Sequence, residues 1–293
     1  MKKVYLIDGS VYVFRAYFSV SESLVSPDYE PTNAVYGYTQ FLVNFLRKSD
    51  ASHVAVYFDE SFDHSFRNEI DVDYKANRDP APDDLIDQFH WCRKLTSALG
   101  VANFASRVYE ADDLIASWAD KARRHGYQNV VVSRDKDLLQ IIKPNDRYWD
   151  YGADEILAYG EVKQKIGVHP EQVPDFLALV GDPVDNIAGV PGIGVKTAVQ
   201  LLERFVSLEG IFENVDVIAT LPMRRAKRIA DQLIRHEQRA FQSLQLATVA
   251  ASIPLRHKLS ALKRKTINDR SVSYWFNRLG FGDRLRQQVD RLV

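Results

Sequence analysis

Five carboxylates lie within 28 residues in the middle of the chain, in two short acidic runs. Glu110-Ala111-Asp112-Asp113 is the first run, and Asp135-Lys136-Asp137 follows soon after the apolar segment Val130-Val131-Val132. Asp8 and Asp59 each end a similar apolar segment. Acids at the ends of neighbouring buried strands would repel one another, because like charges a few ångströms apart raise each other's pKa. The sequence therefore predicts a fold that gathers these acids around divalent cations.

Short apolar segments alternate with amphipathic helical patterns over the first 180 residues. The unbroken apolar character of these segments is typical of parallel strands that are covered on both faces, and in such folds ligands bind where the strands end. We predict an α/β fold with a mostly parallel central sheet flanked by helices. The predicted strands are residues 3–8, 53–58, 130–132 and 147–151, and the predicted helices are residues 34–48, 83–99, 110–125, 159–166 and 170–180.

Composition indicates a folded protein of a reducing compartment. The 293 residues are 46% hydrophobic and 26% charged, which is ordinary for a globular chain. The single cysteine, Cys92, excludes an internal disulfide and a thiolate metal cluster. Only four apolar residues separate Lys3 from Asp8, and no run of 18 apolar residues occurs. We therefore expect a soluble, cytoplasmic monomer with no membrane contact.

The distribution of charge indicates a polyanionic partner. Setting the nine candidate metal-binding acids aside from a net charge of −1 leaves +8 on the remaining chain. Residues 206–293 are predicted to be helical, and from residue 222 onward 16 Lys and Arg face five Asp and Glu. Such a surplus suits nucleic-acid binding, although charge runs are more usually solvated faces, and composition leaves both interpretations open.

Residues 60–82 form a long polar stretch, and such stretches in compact domains are often lids or binding loops. One interpretation gives Lys75 and Arg78 a phosphate to neutralise and Tyr74 a base to stack on. The alternative is a solvated basic loop, and the segment alone does not decide between them. Arg15 follows the first predicted strand and could reach the same end of the sheet. The alternative is that it forms an ordinary surface ion pair.

Two interpretations also compete for the first acidic run. Acids in a first helical turn are common, because they cap the helix and complement its dipole. Three acids exceed what capping needs, and Glu110 and Asp113 are spaced i, i+3 on one face. We therefore favour metal ligation for Glu110, Asp112 and Asp113.

The segment from Gly181 to Ala198 contains Asp182, Asp185 and a glycine-rich turn. Gly194-Val195-Lys196-Thr197 narrowly misses a nucleotide-binding P-loop, which needs Gly directly before Lys and a strand in front. We predict instead a hairpin between two helices, the second starting near Val195. Glycine allows backbone to approach a phosphate closely, and this favours phosphate contact over an ordinary turn.

Together these motifs resemble the structure-specific 5′ nucleases, namely the 5′-nuclease domain of bacterial DNA polymerase I, phage 5′ exonucleases and, more distantly, flap endonucleases. The resemblance implies a PIN-like or resolvase-like nuclease core over residues 1–180, with an arch or lid at about residues 60–82. It implies a helical DNA-binding region with a helix–hairpin–helix over residues 181–293. The implied activity is metal-dependent 5′ to 3′ exonuclease and flap endonuclease cleavage of nicked, branched or 5′-flap DNA, in replication or repair.

The resemblance also implies roles for individual residues. Two Mg²⁺ or Mn²⁺ ions would activate water and clamp the scissile phosphate. One ion would be held by Asp8, Asp59, Glu110, Asp112 and Asp113, and the second by Asp135, Asp137, Asp182 and Asp185. Lys75 and Arg78 match the arch, and Arg15 matches an arginine that neutralises phosphate charge. Gly192 and Gly194, with Lys196 and Thr197, would grip duplex DNA, and carbonyls of this turn would bind K⁺.

Two alternatives of other classes remain at this stage. The first is a non-catalytic protein that binds branched DNA, in which the acids are structural. The second is a ribonuclease or phosphatase on a related metal-binding sheet. The basic C-terminal third and the glycine-rich hairpin argue against a small-molecule phosphatase.

Overall fold

The sheet is built from six strands in the part of the chain that the computed structural model describes, residues 2–60 and 65–292. The strands are β1 Lys2–Asp8, β2 Val54–Asp59, β3 Ala102–Ser106, β4 Tyr127–Val132, β5 Arg147–Asp150 and β6 Glu155–Ala158. Their order is β3-β2-β1-β4-β5-β6, and all neighbours are parallel except β5 and β6. The predicted α/β class with a mostly parallel sheet is confirmed.

The register brings the carboxyl ends of three strands to the same edge. Ile7 of β1 pairs with Val56 of β2 on one side and with Val132 of β4 on the other. The residues that follow, Asp8 among them, therefore leave the sheet together. This edge is where the sequence predicts the acids to meet.

Helices cover both faces of the sheet. Alternate residues of a strand point to opposite faces, so Leu6 packs with Trp118 on one side while Ile7 packs with Phe45 on the other. This explains why the central strands are apolar throughout. The helices are α1 Gly9–Ser19, α2 Asn33–Ser49, α3 Arg67–Ile70, α4 Asp83–Ala98, α5 Ala111–Arg124, α6 Tyr159–Ile166, α7 Val173–Val180, α8 Val195–Phe205, α9 Leu208–Glu213, α10 Val215–Ile218, α11 Ala226–Ala247, α12 Asp269–Arg278 and α13 Asp283–Asp290.

The lid segment, which we define as residues 65–82, is folded against the acidic loop that precedes α8. It contains α3 and a series of turns. Lys75 N–H donates to the carbonyl of Asp185 (3.0 Å), and the Asn77 side chain donates to the carbonyl of Pro183 (2.7 Å). Residues 61–64 of the predicted lid lie outside the described residues. The rest of the predicted lid is thus pinned beside Asp182 and Asp185.

The C-terminal region is only partly helical. α9 to α13 account for most of residues 206–293, but residues 249–258 contain no helix or strand. The predicted helix at 170–180 is a 3-10 turn, Pro170–Gln172, followed by α7. Among the described helices, none combines the length and the apolar character that a bilayer crossing requires.

Candidate metal centre

Three strands and the start of α5 place four acids close together. Asp8 ends β1 and is only 2% exposed; its carboxylate accepts from Val11 N–H (3.3 Å) and from the Ser133 hydroxyl (2.8 Å). Asp59 ends β2 and accepts from Ala111 N–H (2.8 Å), which ties that strand to the first turn of α5. Asp8 is therefore held rigidly at the sheet edge, with Asp59 beside it.

The pKa shifts reveal how close these charges are. Burial, followed by the charges of Asp59 and Asp135, raises the pKa of Asp8 to about 7. Burial also raises the pKa of Asp112 well above its usual value, and Asp135, Asp8 and Asp59 add to the rise. Each of these carboxylates costs free energy to ionise unless a cation lies among them.

A second acidic group lies next to the first. The carboxylate oxygens of Asp137, Asp182 and Asp185 come within 4.8 Å of one another. Burial and then the charges of Asp135 and Asp185 raise the pKa of Asp137 to about 8. Oxygen-only donors of this kind suit Mg²⁺, Mn²⁺ or Ca²⁺ rather than a thiolate-binding metal. The residues present therefore fit a hard divalent cation.

Asp135 lies between the two groups. Its carboxylate accepts from Asp137 N–H (2.9 Å), it adds to the pKa rise of Asp8, and its own pKa is raised by burial and by Asp185 and Asp182. The sequence-based assignment placed it only with the second ion. The structure places Asp135 near acids of both groups.

Asp113 has structural contacts that argue against the prediction that it binds metal. Its carboxylate is fully buried and forms a two-pronged ion pair with Arg67 (2.8 and 2.9 Å). It also accepts from the N–H groups of Ala250 (2.8 Å) and Glu110 (3.0 Å). These four donors occupy both oxygens, so Asp113 caps α5 while Glu110 and Asp112 remain near the other acids.

Arg67 is a site residue that the sequence analysis missed. It is 2% exposed and also donates to the carbonyls of Leu246 (2.8 Å) and Thr248 (3.2 Å) and to Glu110 (3.4 Å). It thus joins the lid segment, α5 and the end of α11. A single arginine in a polar stretch carries no sequence signal of burial, because its partners are distant in the chain.

Lys75 and Arg78 contact acids of the site, and their predicted contact with phosphate stays a prediction. The Lys75 ammonium lies 2.9 Å from Glu110 Oε2 and 3.6 Å from Asp185 Oδ2, and Arg78 pairs with Asp185. Burial alone would lower the pKa of Lys75, but Glu110 and Asp185 hold it well above its usual value. A protonated amine thus lies between Glu110 and Asp185, where charge compensation is needed.

Tyr74 is buried in this structure, which argues against the predicted stacking of its ring on a base. Its side chain is only 5% exposed and packs with Ile187 and Leu246. Its hydroxyl donates to Glu110 (3.2 Å) and Asp185 (3.1 Å). Tyr74 therefore orients two acids of the site, and stacking on DNA would need the lid segment to move.

Arg15 lies on α1 beside Gly152. It is exposed and forms no ion pair with any described residue. Its guanidinium lies over Gly152, where a Cβ would come within 2.1 Å of Nη1. Gly152 therefore makes room for Arg15 just after β5, and the predicted alternative of a surface ion pair is not observed.

The glycine-rich hairpin joins α7 to α8. Gly192 has φ +85°, a conformation that favours glycine, whereas Gly194 is extended and precedes α8. Gly194 and Lys196 are exposed and Thr197 is half-buried. The four predicted DNA-binding residues of the hairpin thus lie together at an accessible turn.

A cavity of about 890 Å³ opens beside the first acidic group. Asp59 and Glu110 line it on the acidic side, and Lys75 and Arg78 line it from the lid segment. Aromatic side chains of α1 form another wall, including Phe18, which is 81% exposed. Basic and aromatic groups facing one space are typical of single-strand binding channels.

Comparison with known protein families gives matches over nearly the whole chain. Residues 3–167 match the family of the 5′-3′ exonuclease N-terminal resolvase-like domain. Residues 168–270 match the family of the 5′-3′ exonuclease C-terminal SAM fold. The two matched regions meet close to the start of the 3-10 turn that precedes α7.

Similar proteins include a 5′-3′ exonuclease of Buchnera aphidicola subsp. Schizaphis graminum, 36% identical over 254 residues that cover 87% of this chain and 88% of the relative. The DNA polymerase I of Bacillus subtilis is 34% identical over 98% of this chain but only 32% of the polymerase. Among solved structures, a bacteriophage T5 D15 flap endonuclease with DNA and metal ions has a TM-score of 0.68 and 20% identity, covering 99% of this chain and 98% of that chain. The last likeness supports the fold.

Proposed function

The chain belongs to the 5′-3′ exonuclease family, and on this premise we propose that it is a metal-dependent nuclease that cleaves DNA by a two-metal mechanism. The substrate is DNA with a free 5′ end, either a flap or a nicked or branched duplex. The observation that carries the proposal is the convergence of Asp8, Asp112 and Asp135 beside the group of Asp137, Asp182 and Asp185.

The two acidic groups would suit two cations, and Asp135 lies near both groups. Asp8, Asp59, Glu110 and Asp112 would hold the first, and Asp137, Asp182 and Asp185 would hold the second. When bound, such ions activate the attacking water and stabilise charge on the phosphate and on the leaving oxygen. Mg²⁺ and Mn²⁺ both match the oxygen donors. The reaction breaks the P–O3′ bond and leaves a 5′ phosphate and a 3′ hydroxyl.

The basic residues of the lid segment would change partners during the reaction. Lys75 and Arg78 neutralise Glu110 and Asp185 in the structure. Once cations occupy the acidic groups, these two side chains can turn to the phosphate, where fixed positive charge stabilises the transition state. Tyr74 keeps Glu110 and Asp185 oriented, and Arg15 supplies a further positive charge at the margin.

The surroundings of the site suggest how DNA is held. The single-stranded 5′ end fits the cavity between α1 and the lid segment, with bases against the aromatic wall. Gly192, Gly194, Lys196 and Thr197 would contact the duplex backbone, and the hairpin would hold K⁺ through its carbonyls. We retain the division into a nuclease core at 1–180 and a DNA-binding region at 181–293, and a cytoplasmic monomer, as parts of the proposal.

Replacing two acids tests the proposed function directly. Asp135→Asn/Asp137→Asn removes the acid that lies near both groups and one acid of the second group, so cleavage of a labelled 5′-flap duplex in Mg²⁺ should fall below detection. Binding of the same flap should persist, because neither residue belongs to the duplex-binding surface. Asp87→Asn, an exposed acid on α4, is the matched control.

The alternative of a non-catalytic DNA-binding protein makes the opposite prediction. It requires the unmodified chain to bind the flap without cleaving it, with Mg²⁺ and without. Full cleavage by the double variant would instead show that Asp135 and Asp137 are not needed for catalysis. Faster cleavage of RNA than of a DNA flap would reassign the substrate.

A further inference from the structure

The edge of the sheet opposite the metal centre, where the parallel strands begin, carries a group of basic residues. Lys2 begins β1 at this edge. The segment Lys263-Arg264-Lys265 crosses the same edge, because Lys263 forms an antiparallel bridge with His53, directly before β2. We define Lys2, Lys263, Arg264 and Lys265 as the amino-edge patch.

Backbone hydrogen bonds hold the crossing segment in place. Arg264 N–H donates to the Ser52 carbonyl (2.9 Å), and Lys265 N–H donates to the Gly100 carbonyl (2.8 Å). Gly100 has φ +76°, and a Cβ there would lie 2.2 Å from the Lys265 carbonyl oxygen, so this close approach requires glycine. The side chains of Lys263 and Lys265 have no part in these bonds and are exposed.

Positive charge is concentrated at the amino-edge patch. Burial, followed by the charges of Lys2 and Lys263, lowers the pKa of His53, so both lysines lie close to that imidazole. Within the described part of the chain, no patch residue forms an ion pair, although Asp50 acts on Arg264 from a longer distance. Residues 238–268 contain six Lys and Arg and no Asp or Glu. The patch therefore attracts an anion.

The surroundings of the patch favour a nucleic acid over an acidic protein. Among the described residues, no large exposed apolar side chain lies in residues 51–53, 100–102, 125–128 or 256–266. Protein partners are usually anchored by aromatic or aliphatic side chains, whereas a phosphate backbone can be bound through charge alone. Lysine is a hydrated point charge on a flexible stem, which suits phosphate contact without base recognition.

The amino-edge patch is remote from the metal centre. Lys2 and Asp8 are the two ends of β1, six residues apart, or about 20 Å at 3.3 Å per residue. The sheet and its covering helices lie between the two edges. Duplex DNA is stiff, and bending a short duplex around the molecule to reach both edges would cost free energy. A duplex at the patch is therefore a different segment from the one at the metal centre.

We propose that the amino-edge patch binds the phosphate backbone of a second duplex segment, without sequence preference and without need of a 5′ end. The protein thereby holds two DNA segments at opposite edges of one sheet. This inference goes beyond the proposed function, because binding at the patch requires neither cleavage nor metal.

A relaxed, covalently closed circular duplex has no 5′ end and tests the patch. Lys263→Ala/Lys265→Ala should lower the affinity for this circle about tenfold at about 50 mM salt, and should reduce the slope of log affinity against log salt by about 1.8. The values of kcat and KM on a short 5′ flap should change by less than about twofold. Lys94→Ala/Arg204→Ala, which removes two exposed cations of α4 and α8, is the matched control and should leave circle binding unchanged.

Simultaneous binding separates the two edges. In the Asp135→Asn/Asp137→Asn background, saturation with the short flap should leave capture by an immobilised circle intact, and adding Lys263→Ala/Lys265→Ala should abolish that capture. Displacement of the circle by the flap, an equal effect of the control variant, or an unchanged salt slope would overturn the proposal.

Two further outcomes are distinguishable. Unchanged circle affinity together with lysine-dependent binding of poly-glutamate would overturn the proposal and assign the patch to an acidic protein. Failure of the unmodified protein to cleave any flap would refute the proposed function, whereas the circle measurements would still decide whether the patch binds DNA.

Discussion

At the scale of single residues, the charge of Asp113 is stabilised by its surroundings, whereas the charge of its neighbour Asp112 is destabilised. Asp113 is paired with a buried arginine, whereas the charge of Asp112 is destabilised by burial and by four other acids. Isosteric replacement separates the two roles. Asp113→Asn should lower the free energy of unfolding by about 3 to 5 kcal/mol, because it leaves Arg67 without its partner.

Asp112→Asn should have the reverse effect. The metal-free protein should become more stable, because one of several repelling charges is removed, while Mn²⁺ affinity should fall by at least tenfold. Urea unfolding and calorimetric titration of both variants measure these changes. Strong loss of Mn²⁺ binding in a stable Asp113→Asn protein would restore Asp113 as a ligand.

The raised carboxyl pKa values predict an unusual pH dependence. Asp8 titrates at about 7 and Asp137 at about 8 in the folded, metal-free protein, above the value of about 3.9 in an unfolded chain. Between pH 4 and about 8, the native state therefore binds more protons than the unfolded state. The free energy of unfolding should fall by on the order of 6 kcal/mol as pH rises from about 5 to 8.

Metal should reverse this trend. Mg²⁺ binds the ionised acids, so its affinity should rise with pH through 7 and 8, and its binding should release protons. Thermal unfolding at several pH values, with and without Mg²⁺, measures both effects. Asp137→Asn should flatten the metal-free profile. A metal-free protein that gains stability between pH 5 and 8 would contradict the interpretation that buried, mutually repelling acids raise these pKa values.

At the scale of elements, the lid segment competes with metal for the same carboxylates. Lys75→Met removes the ammonium between Glu110 and Asp185, so Mn²⁺ should bind more tightly. The same change should lower kcat roughly 100-fold, because one charge that stabilises the transition state is lost.

Lys94→Met, at an exposed position on α4, is the control for this change. Calorimetry and single-turnover cleavage separate the two effects. Weaker Mn²⁺ binding in the Lys75→Met protein would show that the amine supports the metal site rather than competing with it.

Strands and helices could be predicted from the sequence where burial leaves a clear pattern of apolar residues. β1, β2 and β4 are covered on both faces, so their apolar runs were visible, and the acids that follow them could be assigned to one edge. β3 and β6 were missed, because Ala102–Ser106 is half-buried at the sheet edge and Glu155–Ala158 is a short antiparallel addition. The burial of Tyr74 and Arg67 could not be predicted, because it depends on contacts with α11, far along the chain.

At the scale of the whole molecule, one edge of a sheet gathers acids from five separate parts of the sequence. α11 and the turn before it carry much of the positive charge that a net charge of −1 conceals. The acids that form the site could be identified from the sequence. Their division into two groups joined by Asp135 was not, since it depends on three-dimensional distances.

The most direct test of the central claim is a crystal of the protein soaked in Mn²⁺ and measured for anomalous scattering. We predict two peaks, one among Asp8, Asp112 and Asp135 and the other among Asp137, Asp182 and Asp185, with none at Asp113. Mn²⁺ bound elsewhere, or an absence of peaks among these carboxylates at saturating Mn²⁺, would contradict a two-metal centre at this edge of the sheet.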